Sequence, residues 1–503
     1  MNFIFVKNTF QLSTYKRLAG DTVIYGVSSI LGRILNWCLV PYYTRMFLPG
    51  EYGVVTNMYA YVAFLLVLLS YGMETSYFRY ASKHKKPGEV YSTSVIALFF
   101  TSVSFVLLAS VFRHEIASLI HYPNHPEYIL WFAIILGIDA FTAIPFARLR
   151  LKNRPVKFAA IKFVFIGVNI AFNLFFISLC PKLLQNNPDS FIKYIYLPEI
   201  GVGYVFISNL LASVITLLLL LPEIFSISFR FNKQLLKQML SYGFPILIVG
   251  LTGMVNQNVD KVLLPFLLPK DQDPMFQLGI YGANYKLAVL MNMFIQAFRY
   301  AFEPFFFARS ASKNDPKVYA TVMKYFVIFG LMIFLGMVLY IDVIKTVAIG
   351  SKYYEGIKVV PIVLMANLFF GIYFTLSLWY KLTDKTRYGA YMALVGAAIT
   401  LAINFLLIPV MGYMASAIAV FTCFLVMVIL SYFLGQKFYP VPYDLKRIGS
   451  YFLVALVLFS LSFYTNHLNV FLKYTVHTIF IGVFLLVVFK FEKQELKGLL
   501  KKK

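Results

Sequence analysis

Fourteen times along this chain a run of roughly twenty apolar side chains recurs, and nothing else in the sequence limits the fold so strongly. The runs lie at 22–44, 54–78, 92–112, 127–147, 157–180, 200–221, 243–267, 283–307, 319–340, 358–380, 388–408, 413–435, 450–464 and 474–489. About 20 apolar residues carry a helix across the hydrocarbon of a bilayer. Within lipid the backbone must satisfy its own hydrogen bonds, which leaves helices and closed barrels. Runs this long and continuous predict an all-α polytopic membrane protein of about fourteen transmembrane helices. Composition agrees, with 60% of the 503 residues hydrophobic and 13% charged, against about 45–50% and about 25% in soluble domains. A soluble enzyme and a disordered chain are excluded. The connections leave no room for a large extramembrane domain.

Lys and Arg number 45 against 21 Asp and Glu, a formal charge of +24. In a soluble protein that excess would suggest nucleic acid, so its distribution has to be examined. With the N-terminus inside, the inner segments (1–21, 79–91, 148–157, 222–242, 308–318, 381–387, 436–449 and 490–503) hold 30 Lys and Arg, whereas the outer connections hold 8. Cytoplasmic loops collect Lys and Arg. The asymmetry assigns both termini to the cytoplasm and removes the need for a nucleic-acid partner. Residues 1–21 read as a cytoplasmic lead-in without a cleavable signal, because Met1 to Val6 is too short for an h-region. The stretch 222–242 interleaves Phe225, Phe229, Phe231, Leu235 and Leu236 with Arg230, Lys233 and Lys237, the pattern of an amphipathic linker on the membrane surface. Cys38, Cys180 and Cys423 sit in apolar runs and read as core residues. His114, His121 and His125 read as a solvated loop rather than a metal site.

The two halves resemble each other. Tyr25-Gly26 and Tyr242-Gly243 open the first and seventh runs; Tyr52-Gly53 and Tyr281-Gly282 open the second and eighth. Ala81-Ser82-Lys83 and Ala311-Ser312-Lys313 follow at nearly equal spacing. Six spans per half give the copies one orientation, which implies a pseudo-two-fold axis along the membrane normal and a substrate site near the midplane. The expected organisation is an N-lobe at 22–221, the linker 222–242, a C-lobe at 243–435, and an added pair of spans with a basic tail at 436–503.

A charged side chain at the centre of a span costs about 2.5–3.5 kcal/mol on insertion scales, so it faces a cavity or a partner. Arg33 is the midpoint of the first span and shares a face with Ser29 and Asn36. The eighth span carries Asn292, Gln296, Arg299 and Glu303 on one stripe, where Arg299 and Glu303 can also pair with each other. The seventh offers Asn256 and Asp260; the fifth offers Lys162, Asn169 and Asn173. Lys162, Lys286 and Lys324 can snorkel toward the span ends, Asp139 can pair locally with Arg148, and the adjacent Asp260 and Lys261 point about 100° apart on a helix. Six deep cations (Arg33, Lys162, Lys261, Lys286, Arg299, Lys324) stand against three deep anions (Asp139, Asp260, Glu303). A net positive interior concentrates anions, so the expected cargo carries phosphate or carboxylate. Substrate contacts are expected from Arg33, Asn36, Asn256, Asn292, Gln296, Arg299, Lys286 and Lys162.

The chain resembles the Wzx-type polysaccharide flippases, in the superfamily shared with multidrug extruders and lipid II flippases. Tyr25-Gly26 through Pro41, Thr44-Arg45, Glu51-Tyr52-Gly53 and Tyr71-Gly72-Met73-Glu74 with Arg79 carry the likeness, as do Asn404 to Pro409, Gly412 and Ala415-Ser416-Ala417. It covers about 20–435. Asp260-Lys261 stands where many relatives look like Asp-Arg, and Ala415-Ser416 where Gly-Ala is common. The resemblance implies a fourteen-helix, two-lobed fold in the bacterial inner membrane. A cationic central cavity would open alternately to each side and move a polyprenyl-pyrophosphate-linked oligosaccharide, an O-antigen or capsule unit, to the outer leaflet. It also implies proton or sodium coupling and polysaccharide-assembly partners. No P-loop is present and no cofactor is expected. Asp139, Asp260 and Glu303 are the carboxylates available to carry an ion.

Other readings stay open. A lipid II flippase shares the span number and cationic cavity, whereas a multidrug or cation extruder would have twelve spans and an acidic cavity. A glycan polymerase needs a sizeable catalytic outer loop. The longest here, 181–199, holds only Lys182, Lys193, Asp189 and Glu199 as charges, so no enzyme is expected.

Overall fold

A computed structural model describes residues 34–35, 37–226, 230–310, 316–383 and 385–500, with side chains described except at 300–310 and 494–500. Among the described residues the regular elements are helical and no strand occurs. Twelve helices among these residues are long and apolar enough to cross a membrane. The expected fourteen are not reached, and the two runs without a counterpart are 22–44 and 283–307. Much of the first lies outside the described residues. The second is divided, one helix ending at Leu287 and the next beginning at Val289. Its polar stripe also leaves it less apolar than its neighbours.

The described residues form two compact units: those of 54–254 with those up to 39, and those from 255 onward with 40–53. The lead-in 1–21 lies outside the described residues. Where a separate linker helix was expected at 222–242, one helix ends at Ile224 and another runs unbroken from Lys233 to Leu267. Thirty-five residues extend about 52 Å at 1.5 Å each, well beyond the roughly 30 Å of hydrocarbon. The amphipathic residues from Lys233 onward are thus the leading turns of a crossing helix.

In the first unit the second span breaks at Tyr71 and Gly72, whose φ values are 33° and 71°. Gly72 then meets backbone: a Cβ there would lie 2.5 Å from the Gly243 carbonyl oxygen. Ser76 Oγ donates to the Met239 carbonyl at 2.9 Å, and the Arg79 guanidinium covers the Tyr242 ring at 4.1 Å. Two of the sequence's Tyr-Gly pairs are therefore contact points between helices. The fifth span carries a π-helical turn at Phe175–Leu179, just after the Asn169–Asn173 side-chain bond of 2.8 Å. Arg148 has a different partner from the one expected. It donates to the Glu223 carbonyl at 2.7 Å and to Ser226 at 2.5 Å, with its guanidinium over Tyr91. The Glu223 carboxylate accepts from Lys157 at 2.8 Å and Arg154 at 3.2 Å.

In the second unit, residues 40–53 are fastened to 346–353. Gly350 N–H donates to Thr44 Oγ at 2.9 Å, Tyr353 OH to the Phe47 carbonyl at 3.0 Å, and Arg45 to the Thr346 and Val347 carbonyls. The expected extra spans are seated by a buried carboxylate. Glu492, fully buried, accepts from Lys324 at 2.5 Å and from Tyr451 OH at 2.6 Å. Lys324 accordingly pairs inside the protein instead of snorkelling. Cys180 and Cys423 are buried as expected, whereas Cys38 is exposed.

The tightest crossing joins Gly53 and Gly279. A Cβ on Gly279 would sit 1.7 Å from the Pro49 carbonyl oxygen, and one on Gly53 2.0 Å from that of Met275. Small residues let backbones approach this closely, and backbone cannot swing aside as a side chain can. Gly279→Ala is expected to destabilise the protein by about 1–3 kcal/mol. Gly482→Ala, with open space around its Cβ, should leave thermal unfolding in detergent unchanged or slightly higher. Equal unfolding temperatures for the two variants would remove the crossing from the packing argument.

Candidate functional site

The first unit encloses a cavity of about 450 Å³, and its chemistry is set by four charges. Asp139 comes from the middle of the helix Pro126–Leu151 and Arg150 from that helix's end; Glu74 follows the Tyr71-Gly72 break, and Lys162 lies two turns into Pro155–Leu174. The cavity therefore runs from the middle of the fourth span toward the end where 79–91 and 148–157 lie. Asp139 Oδ1 accepts from Ser213 Oγ at 3.0 Å, in place of the local Arg148 pairing considered from sequence. Arg150 donates to the Glu74 carboxylate, and its guanidinium lies 4.9 Å from the Phe78 ring. Its Nε is buried without a hydrogen-bond partner among the described residues. Lys162 Nζ stands 4.2 Å from the Phe146 ring and within electrostatic reach of Asp139, Arg150 and Glu74.

Two carboxylates and two cations cancel, so this cavity does not concentrate an anion. Its chemical capacity is a change of charge at Asp139: neutralising that carboxylate would leave Lys162 and the Arg150–Glu74 pair facing each other with one net positive charge. In a low-dielectric surrounding such a change acts strongly on its neighbours. Asp139 and Lys162 were singled out in the sequence, whereas Glu74, Arg150 and Ser213 were not singled out as cavity residues. Glu74 was within the resembling stretch Tyr71 to Glu74, but only the break at Gly72 turns its side chain toward Arg150.

The second unit holds a separate polar cluster. Lys261 Nζ lies 3.1 Å from Asp260 Oδ1 and donates to the Gln257 carbonyl at 3.0 Å; Tyr281 OH donates to Asp260 Oδ2 at 2.5 Å. The 100° divergence of the two Cα–Cβ directions does not keep these neighbours apart, because the long lysine stem folds back onto the carboxylate. The ammonium also lies 4.0 Å from the Tyr285 ring. Lys286 follows on the same helix as Tyr281, within the electrostatic influence of Lys261. Asn256 donates to the Ala393 carbonyl at 3.3 Å while its Oδ1 is buried without a hydrogen-bond partner among the described residues.

Asn292, Gln296 and Arg299 share one face of the helix Val289–Ser310. The Arg299 guanidinium lies 4.0 Å from the Phe374 ring, and Lys381 Nζ lies 4.6 Å from the same ring. Cations are drawn to aromatic faces, and one ring here gathers two of them. Lys381, assigned to a loop, was missed; only the approach of its segment to the eighth span's stripe reveals it. Arg33 and Asn36 lie outside the described residues, as does the Glu303 side chain. Among the described residues no group of His, Cys, Asp and Glu has the arrangement of a metal site.

Among the described residues, twelve membrane-length helices with charges gathered inside each unit define a multi-pass membrane protein. The chain belongs to the family of polysaccharide biosynthesis proteins, which matches residues 18–308. No curated protein matches it by sequence. Its fold is similar to that of the lipid II flippase MurJ in an inward closed conformation, with a TM-score of 0.72 at 14% identity over 94% of this chain and all of that one. A multidrug resistance MATE family transporter of the MOP superfamily, inward-facing, matches with a TM-score of 0.63 at 12% identity, over 83% of this chain and 94% of that one.

The Asp260–Lys261 pair tests the chemistry of the cluster. Removing one member of a buried ion pair costs about 3–5 kcal/mol, while apolar replacement of both is often neutral. Asp260→Asn is expected to lower the yield of folded protein in gel filtration, and the double variant Asp260→Leu with Lys261→Met to restore it. A well-folded Asp260→Asn would release the carboxylate from a structural role and leave it to ion coupling alone.

Proposed function

We propose that this protein is a flippase moving a polyprenyl-pyrophosphate-linked oligosaccharide from the inner to the outer leaflet of a bacterial cell membrane. It works by alternating access through a cationic cavity, with both termini cytoplasmic, and makes or breaks no covalent bond. The observation that carries this reading is membership of the polysaccharide biosynthesis family over 18–308, joined to a transporter fold. Arg299 and Lys381, both near the Phe374 ring, support an anionic cargo, since Arg and Lys are the side chains that bind phosphate. In the sequence, Arg33, too deep in its span to snorkel comfortably and without an acid in that span, is a further cation suited to an anionic cargo. Asp139, at the deep end of the neutral cavity, is the group that would respond to an ion gradient, with Glu303 a further carboxylate on the polar stripe. O-antigen and capsule units are the cargo classes that fit, and glycan-assembly proteins are the partners.

The test is translocation of lipid-linked glycan in spheroplasts or proteoliposomes, read by access of an outer-face glycan probe. Arg33→Ala should stop translocation with normal protein levels. Asp139→Asn should lower the rate about tenfold or more and flatten its dependence on pH, as expected when a proton-transferring group is lost. Full surface glycan from a stably expressed Arg33→Ala would count against the anchoring role. A second reading, lipid II as the cargo, is favoured by the match to MurJ along nearly the whole chain. Depletion separates them by which precursor accumulates in the inner leaflet.

A further inference from the structure

A second cavity, unused by anything above, lies where the connections 268–273, 349–359 and 411–413 of the second unit meet. It measures about 360 Å³, within the range of about 300–1,000 Å³ typical of small-ligand sites. Its construction begins at Gly412, whose φ of 57° turns the chain from the helix Arg387–Met411 directly into Tyr413–Phe438. A Cβ at 412 would sit 2.4 Å from Gln277 Oε1, so the missing side chain makes room for that amide. Gln277 Nε2 is held by the carbonyl and side-chain oxygens of Gln272 at 3.3 and 3.4 Å. Across the cavity Tyr413 OH donates to Glu355 Oε1 at 3.4 Å, and Lys358 Nζ lies 5.2 Å from the Tyr413 ring. Glu355 and Lys358 are three apart on a 3₁₀ turn, where such residues eclipse. Phe276 adds a second ring.

Two amides, one carboxylate and one ammonium around two aromatic rings select a narrow class of ligand. An apolar molecule would strip water from amides and charges without replacing their hydrogen bonds. A nucleotide or polyphosphate would meet one lysine set beside a carboxylate, so little net attraction. A sugar fits both parts: vicinal hydroxyls match the paired donors and acceptors of amide and carboxylate, and its C–H face matches an aromatic ring. Lys358 can also accept one acidic substituent.

We infer that this cavity is a glycan subsite, which takes a sugar residue of the cargo at the outer face. The inference rests on the flippase reading and its orientation, which place all three connections outside. Its two sources of sugar are the lipid-linked unit itself and polysaccharide already assembled outside the cell.

The probes are free oligosaccharide released by mild acid from the cells' polyprenyl-pyrophosphate pool, and purified surface polysaccharide. Each is titrated against the full chain in nanodiscs by saturation-transfer NMR. The released unit should bind, and Gln277→Leu and Lys358→Met should each weaken it about tenfold, the loss of one good hydrogen bond. Lys358 is exposed, so its variant carries the test if Gln277→Leu fails to fold. Binding that is absent, or equal in wild type and Lys358→Met, overturns the subsite. Binding by the polymer alone overturns its assignment to the cargo. If wild type fails to translocate the lipid-linked unit while variant-sensitive binding persists, the flippase reading falls and the subsite stands.

Discussion

Lipid gives a charge nothing to bind, and the arrangement of this protein follows from that. Every deep Lys, Arg, Asp or Glu must find a counter-charge, an aromatic face, a carbonyl or a wet cavity within the protein, because the hydrocarbon supplies none. Lys324, Tyr451 and Glu492 answer this with one buried knot that also seats the last two helices. Asp260, Lys261 and Tyr281 answer it within a single unit. Glu74, Asp139, Arg150 and Lys162 answer it with a cavity.

These solutions differ in what they leave available for function. The knot at Glu492 is fully buried, with its carboxylate engaged from two sides, and it serves cohesion. The first-unit cavity is balanced in charge yet open enough for its members to remain half-buried, so one proton more or less changes its net charge by a full unit. The pair of cations on Phe374 shows a third solution. The Phe374 ring lies within reach of both cations, and cations are drawn to aromatic rings.

Close packing supplies the remaining order. Where helices have few polar groups, their approach is limited by side-chain volume, and glycines at the crossings mark the closest approaches. Gly53 with Gly279, and Gly72 with Gly243, bring backbone against backbone. Each crossing lies beside a charged or aromatic contact, such as Arg79 on Tyr242. Helix position and site geometry are consequently fixed together.

The sequence by itself determined the class: runs of membrane length force helices, since an unpaired backbone cannot persist in lipid, and this needs no knowledge of neighbours. It also singled out Asp139, Lys162, Arg299 and Asp260 as expensive residues, because insertion cost depends on depth along a span. Which groups meet was decided by tertiary structure. Periodicity assigns a residue to a face of its own helix and says nothing about the helix opposite, so Ser213 beside Asp139, Phe374 beside Arg299 and Glu492 beside Lys324 were hidden. The count of three deep carboxylates omitted Glu492 because it lies past the last apolar run, and only the docking of that helix buries it. The division of 283–307 at Ala288 and the continuity of Lys233–Leu267 were likewise invisible, since hydropathy measures how much apolar surface a segment carries and not where neighbouring helices bend or extend it.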